Sequence, residues 1–409
     1  MVINLTRGTV FLLAFGFFFI VSCSMQFHTH TLDETEELYR SGDYTEALRS
    51  VNNLLREDPE NEDLLFLKAN TLSNLANQQL RPQQRANYYQ ELSLAADLLR
   101  NSEDPSIRGM TDSLMVNTWR EEHGAGQRLL EYSNPGSFSE NFQPIIAHFS
   151  NALIINADSS STYSMKATAY YRNGDLQYAI ETLQDAESHF DPMPSEMSEQ
   201  LAFLLLEEGQ IEASIATYRQ LLDNEPDNEE IKHGLVNAYI LAGQHESSIE
   251  LLRELIVADH NQLTYHEALA TELFFHIQKS ITSLSEADLQ GREIIEEMDI
   301  LMADLSEAEE LYQFVKENHS NPAEITFITA AFYKNTAGIL IDLADSRNDD
   351  LAVTLHNKAT ELLTRSVPVW EEVADRNPEN PEIWRSMYQI YTQLNMVEEA
   401  EEARSRANL

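Results

Sequence analysis

Short motifs recur along this chain at nearly constant spacing, and the spacing limits the fold more than any other feature. Gly42-Asp43-Tyr44 precedes Ala47, and Gly174-Asp175-Leu176 precedes Ala179. Gly209-Gln210-Ile211 precedes Ser214, and Gly243-Gln244-His245 precedes Ser248. Gly174 to Gly209 is 35 residues, and Gly209 to Gly243 is 34. A second set is Asp58-Pro59-Glu60-Asn61, Glu225-Pro226-Asp227-Asn228 and Asn377-Pro378-Glu379-Asn380. Gly42 to Pro59 and Gly209 to Pro226 are both 17 residues. Such a period signals stacked supersecondary units, none of which buries its apolar face alone. Each residue type has a physical reason. Glycine ends a first helix because it tolerates positive φ. The small residue five positions later lets two helices approach closely. Proline stops the second helix, and Ile215, Tyr218, Leu221 and Leu222 between them have helical spacing.

In these motifs the chain resembles tetratricopeptide repeat proteins, in which each unit is a pair of antiparallel helices. The units that match cleanly are 28–61, 160–194, 195–228, 229–262 and 381–409. The last has Trp384 where the family favours Trp, followed by Tyr388, Tyr391 and Ala400, with Asn395 in place of the glycine. Asn also visits the left-handed region. Segments 62–107 and 108–159 read as units with longer helices. An insert at 124–143, carrying Gly124, Gly126, Pro135 and Gly136, is expected to form a mobile loop. Segment 322–346 followed by 349–380 reads as a degenerate pair. The resemblance implies an all-α fold, a TPR-type α-solenoid forming a right-handed superhelix of seven or eight helix pairs. The expected organisation is a signal peptide at 1–22, a tether at 23–31, helix pairs at 32–159 and three regular units at 160–262. Irregular long helices at 263–348 and a C-terminal unit with its cap at 349–409 complete it.

Segment 263–318 departs from the repeat. Ile294, Met298, Leu301, Leu305, Ala308, Tyr312 and Val315 make a heptad seam, either against a partner helix or, as we expect, along the solenoid's own flank. Ser306-Glu307-Ala308-Glu309 resembles a capping box and predicts a helix start there.

Composition removes several classes of function. With 27 Lys+Arg against 68 Asp+Glu the net charge is −41, which excludes a basic stripe for nucleic acid and disfavours anionic lipid surfaces. A hydrophobic content of 43% supports a core, so the acidity is not that of a disordered chain. Only 13 Gly and 12 Pro in 409 residues favour helices over a loop-rich β fold. A single Cys rules out internal disulfides and thiolate zinc sites.

That Cys lies at the end of a processing signal. Arg7 precedes an apolar run, Val10 to Val21, too short to span a bilayer. Ile20-Val21-Ser22-Cys23 resembles the bacterial lipobox, although Leu is commoner at its first position. The resemblance implies cleavage before Cys23 and lipidation of its thiol and amino group. Two or more acyl chains hold a protein stably at a membrane. Loss of Arg7 makes the mature chain one unit more negative. Ser24, in place of the Asp that tends to retain such proteins at the inner membrane, favours the outer membrane.

Motifs for chemistry are absent or incomplete. His266-Glu267-Ala268-Leu269-Ala270 lacks the second His of a zinc-protease helix, and Gly124-Ala125-Gly126 lacks the third Gly of a dinucleotide loop. His28 and His30 read as part of a solvated tether. Residues 286–310 hold ten acids against Arg292, which reads as a solvated helix face rather than a cation site. No catalytic residue, metal ligand or cofactor is expected. The family lines its concave groove with the first helix of each unit. Those positions here are Thr168, Tyr171, Arg172, Phe203, Leu206, His233, Asn237, Ile240, Leu241, Phe274 and Phe275, an aromatic and aliphatic stripe in an acidic protein. The fifth and ninth positions, Ser164 and Thr168 and then Glu199 and Phe203, lack the Lys and Asn of a carboxylate clamp. The expected function is a lipid-anchored envelope scaffold holding a basic or amphipathic segment of a partner protein. The alternative is a solute-binding lipoprotein with a closed pocket lined by 124–143.

Overall fold

A computed structural model describes residues 30–133, 137–286, 292–319 and 322–409, with side chains described for these apart from 285–286, 292–295 and 322. Cys23, its lipobox, His28 and the Pro135-Gly136 pair lie outside the described residues. The described residues form eighteen α-helices and a short 3-10 turn, and no strand. In chain order the helices pair as hairpins. These are α1 (Leu32–Arg40) with α2 (Tyr44–Glu57), α3 (Glu62–Gln78) with α4 (Ala86–Arg100), and α5 (Pro105–Tyr132) with α6 (Phe138–Ile155). Next come α7 (Ser160–Asn173) with α8 (Leu176–Ala186), α9 (Ser195–Glu207) with α10 (Ile211–Asn224), and α11 (Glu229–Ala242) with α12 (His245–Ala258). The last three are α13 (Leu263–Glu286) with α14 (Arg292–Asn318), α15 (Pro322–Asp345) with α16 (Asp350–Arg376), and α17 (Pro381–Gln393) with α18 (Val397–Arg406). The 3-10 turn, Pro82–Gln84, joins α3 to α4. The array is an all-α solenoid with nine pairs among the described residues, more than the seven or eight expected, because the long segments also fold as hairpins.

The repeated motifs set the local structure. Gly42, Gly174, Gly209 and Gly243 have φ of 85°, 84°, 79° and 66°, and Asn395 takes the same left-handed role at 57°. The small residues after them, Ala47, Ala179, Ser214 and Ser248, are fully buried where paired helices meet. Two are serines because each hydroxyl has a partner there. Ser214 Oγ donates to the Ala202 carbonyl at 2.7 Å, and Ser248 Oγ donates to Glu272 at 2.6 Å. The proline motif acts twice. Pro59, Pro226 and Pro378 follow the ends of α2, α10 and α16, and the Asn two residues later caps the next helix. Asn61 Oδ1 accepts from Leu64 N, Asn228 Oδ1 from Glu230 N and Ile231 N, and Asn380 Oδ1 from Glu382 N. Each cap contributes about 1 kcal/mol.

The chain divides into two compact units. One comprises residues up to Ser133 with Gln143–Ala157, and the other Asn134–Phe142 with Asp158–Leu409. In the first unit, Tyr89, Leu72, Leu92 and Ala96 are fully buried beside Met115. The expected mobile loop is absent over much of its length, since residues 124–132 form the last turns of α5. Gly126 is there for close packing, as a Cβ on it would lie 2.9 Å from the Phe149 ring.

In the second unit the heptad seam faces inward. Met298, Leu301, Leu305, Ala308, Tyr312 and Val315 are all buried in its core, and Ile294 lies outside the described side chains. The seam therefore serves the hairpin of α13 and α14 within the array. α14 runs unbroken through Ser306, so the predicted helix start is overturned; Leu305 and Ala308 are fully buried, and their burial carries the helix across the capping signal. The acidic run is also only partly a solvated face. Glu296, Glu297, Asp299 and Glu310 are exposed. Asp304 turns inward to His276 at 2.9 Å, and Glu309 to Arg365 at 2.9 Å. At the C-terminal end Trp384 donates to the Pro378 carbonyl at 2.7 Å and carries the Arg406 guanidinium 4.3 Å above its ring.

Gly234 gives a direct test of the packing. A Cβ there would lie 2.4 Å from the buried Tyr218 ring. Gly234→Ala is expected to destabilise the second unit by about 1–3 kcal/mol. Paired with Tyr218→Leu, which removes the ring, the double variant should lose less than the two single losses added together, by more than about 0.5 kcal/mol. Additive losses in denaturant melts would show that the two residues do not meet.

Candidate functional site

The first helices α9 and α11 enclose an open groove of about 760 Å³ in the second unit. Its apolar surface comes from Phe203 and Leu206 of α9 and from Ile240 and Leu241 of α11. Phe203 is 39% exposed and Leu241 62%, high values for large apolar side chains, while Leu206 and Ile240 are half-buried against the core. Residues four apart on α9 (Glu199, Phe203 and Glu207) and on α11 (Glu230 and Gly234; His233 and Asn237) share a helix face, so acids alternate with apolar groups along the groove. Gly234 and Tyr218 form part of its lining, and the missing Cβ keeps it deep. Burial and the nearby Glu199 charge push the Tyr218 phenol up to about 12, so it stays neutral. Burial, with Glu230, Glu225 and Glu196 around it, also raises the Glu199 carboxyl above its ordinary value.

The groove brings together Phe203, Leu206, His233, Asn237, Ile240 and Leu241 of the residues expected to line it. The remainder sit elsewhere. Tyr171 lies beside the groove with its ring edge-on to Phe203, centroids 5.6 Å apart. Thr168 is half-buried and hydrogen-bonded to Gln200 at 3.0 Å. The Arg172 guanidinium lies 5.0 Å over the buried Phe138 ring and does not line the groove, whereas Asn237 does. Phe274 turns toward Phe332 of α15, centroids 5.9 Å apart in an edge contact, and Phe275 stacks on His245 at 5.6 Å. Neither Phe274, drawn toward α15, nor Phe275, which is 44% exposed, lines the groove between α9 and α11.

A second cluster escaped the sequence reading. Glu122 of α5 is 1% exposed in the first unit. Its Oε1 accepts from Arg85 Nη1 and Tyr89 OH, both at 2.7 Å, and its Oε2 lies 2.6 Å from His148 Nδ1 and 3.4 Å from Asn151 Nδ2. Asn151 also donates to the Pro82 carbonyl at 2.9 Å. Burial opposes ionisation of Glu122, but the hydrogen bonds from His148, Arg85 and Tyr89 outweigh it and hold the carboxyl below its ordinary value. Burial and the Glu122 charge push the Tyr89 phenol strongly up. The residue types suit acid–base chemistry, yet both carboxylate oxygens are occupied by protein donors. The arrangement joins α4, α5, α6 and the 3-10 turn, and we assign it to structure. Among the described residues no group of three or more His, Cys, Asp or Glu is placed to hold a metal ion, and no helix is long and apolar enough to cross a membrane.

Comparison with known proteins agrees with this architecture. A family model described as tetratricopeptide repeat matches residues 205–272, and a second of the same description matches 32–72 and 164–229. Over these segments the chain matches tetratricopeptide repeats, and the described residues have the all-α, helix-pair fold of an α-solenoid. No curated protein matches it in sequence. Among solved structures it is similar to MamA from Desulfovibrio magneticus, at 16% identity over 48% of this chain and 95% of that one, with a TM-score of 0.35. The C-terminal part of a TPR repeat-containing protein from Cytophaga hutchinsonii is 14% identical over 66% of this chain and 92% of that one, with a TM-score of 0.40. A chain of the Naa15/Naa10 complex bound to HypK-THB is 16% identical over 91% of this chain and 62% of its own, with a TM-score of 0.33.

Proposed function

We propose that the protein is a lipid-anchored scaffold of a bacterial envelope, held at the outer membrane through Cys23, that grips a segment of a partner protein between α9 and α11 without catalysis. The observation that carries this reading is the groove, where Phe203 and Leu241 remain exposed beside half-buried Leu206 and Ile240. An amphipathic helix or extended segment laying apolar side chains there uses the helix-in-groove mode. Full burial of one such side chain contributes about 1.5–3 kcal/mol, so a few anchors support about micromolar binding after association costs. Asn237 offers a donor and an acceptor to orient the segment.

The test uses two readouts on Phe203→Ala. Capture of partner protein from solubilised membranes should fall about tenfold, the equivalent of losing roughly 1.4 kcal/mol. The Tm should stay within about 2 °C of the parent, since the ring is not part of the closed core. Unchanged capture, or a Tm loss of more than about 5 °C, overturns the assignment.

A further inference from the structure

We infer that the α9–α11 groove selects a partner segment that presents a lysine or arginine beside its apolar anchors, the cation seated among Glu196, Glu199 and Glu230. The inference rests on the groove being a docking site and names the chemistry it selects. Four carboxylates, Glu196, Glu199, Glu207 and Glu230, border the apolar surface, and no Lys or Arg lines it. None of the four is in an ion pair within the described residues, whereas many other acids are matched. Nearby cations are already engaged elsewhere. Lys232, adjacent to His233, donates to Glu254 of α12 at 2.6 Å, and Arg219 of α10 donates to Tyr239 OH at 2.7 Å with its guanidinium 5.3 Å over that ring. Glu196 and Glu230 thus act on Glu199 without an ion-pair partner of their own, and burial together with that crowding raises the Glu199 carboxyl. A Lys or Arg stem lies readily along an apolar surface while its head reaches carboxylates at the rim, and Phe203 adds a ring face to the cation's surroundings. An acidic segment would meet four like charges, so the same geometry rejects it.

The test uses the mature full-length chain and a fluorescein-labelled 16-residue helical peptide of Leu, Ala and Lys, with Leu pairs four apart and Lys on the flanks. Two matched peptides carry Gln or Glu in place of every Lys. The whole chain is strongly acidic, so diffuse attraction needs its own control. Glu199→Gln with Glu230→Gln is compared with an equal change of charge on α18, Glu398→Gln with Glu399→Gln. Fluorescence anisotropy should show the Lys peptide binding the parent, with the Gln and Glu peptides progressively weaker. The groove pair should weaken the Lys peptide about tenfold, and the α18 pair less than about twofold. The groove pair should also keep or raise the Tm of the free protein, since it removes like-charge crowding, and this confirms that the variant folds. Equal weakening by both pairs means the attraction is diffuse and overturns the inference, as does a parent that fails to bind the Lys peptide. Weakening by Phe203→Ala but not by the groove pair leaves the docking groove standing and removes the cation seat. No weakening by either removes both.

Discussion

Replacement of Glu122 by alanine is expected to destabilise the first compact unit by about 3–5 kcal/mol, the usual loss when one partner of a buried charged cluster is removed. The truncation would leave Arg85, Tyr89 and His148 facing an emptied site, and Asn151 with the Pro82 carbonyl as its remaining partner. Hydrogen exchange should show α4, α5 and the Gln143–Ile155 part of α6 losing protection, with α9 to α12 unchanged. The parent also has a predictable acid response. The folded-state carboxyl of Glu122 lies below its ordinary value, so its contribution is complete above the ordinary Glu range and is lost as pH falls through the lowered folded value. Acid should therefore weaken the first unit in part through Glu122, and the Glu122→Ala variant should lack that component. A loss below about 1 kcal/mol in the variant would show that the cluster is not a fastener.

Cys23→Ala should change location completely rather than by degree. The parent chain should incorporate radioactive palmitate and stay in the membrane pellet after a carbonate wash. The variant should incorporate none and appear in the soluble fraction. If Cys23 is lipidated as proposed, two or three acyl chains, at about 0.8 kcal/mol per buried CH₂, would account for stable anchoring of the parent. No described helix replaces them, and a surface of net charge −41 is repelled by anionic lipid. A variant that stays in the pellet after the wash would place the anchor elsewhere.

Much of the array is legible in the residues because its determinants are local. Positive φ at Gly42, Gly174, Gly209, Gly243 and Asn395 follows from positions that only Gly or Asn occupies at low cost, and each comes with a small residue five places on. The Asn caps have equally local causes, since Asn61, Asn228 and Asn380 each precede an acidic first turn, although the motif reads from the sequence only as a helix stop. Gly126 misleads because glycine within a helix reads as a break. Its reason lies in Phe149, 23 positions away. The lining of the α9–α11 groove was legible only in part for a similar cause. The family resemblance names the face that Phe203, Ile240 and Phe274 occupy, but the neighbouring helix decides whether that face opens to solvent.

The sequence by itself determined the regular helix pairs, their turns, the acidity and the position of the single cysteine, because helix stops, periodicity and charge act within a few residues. Tertiary structure decided the rest. It drew Phe274 onto Phe332, buried Asp304 and Glu309 out of an acidic run, and carried α14 through a capping signal. It also joined Arg85, Tyr89, Glu122 and His148 across as many as 63 positions into one buried cluster. These outcomes depend on which surfaces of distant helices meet, and burial and mutual hydrogen bonding there exceed the local preferences that the sequence displays.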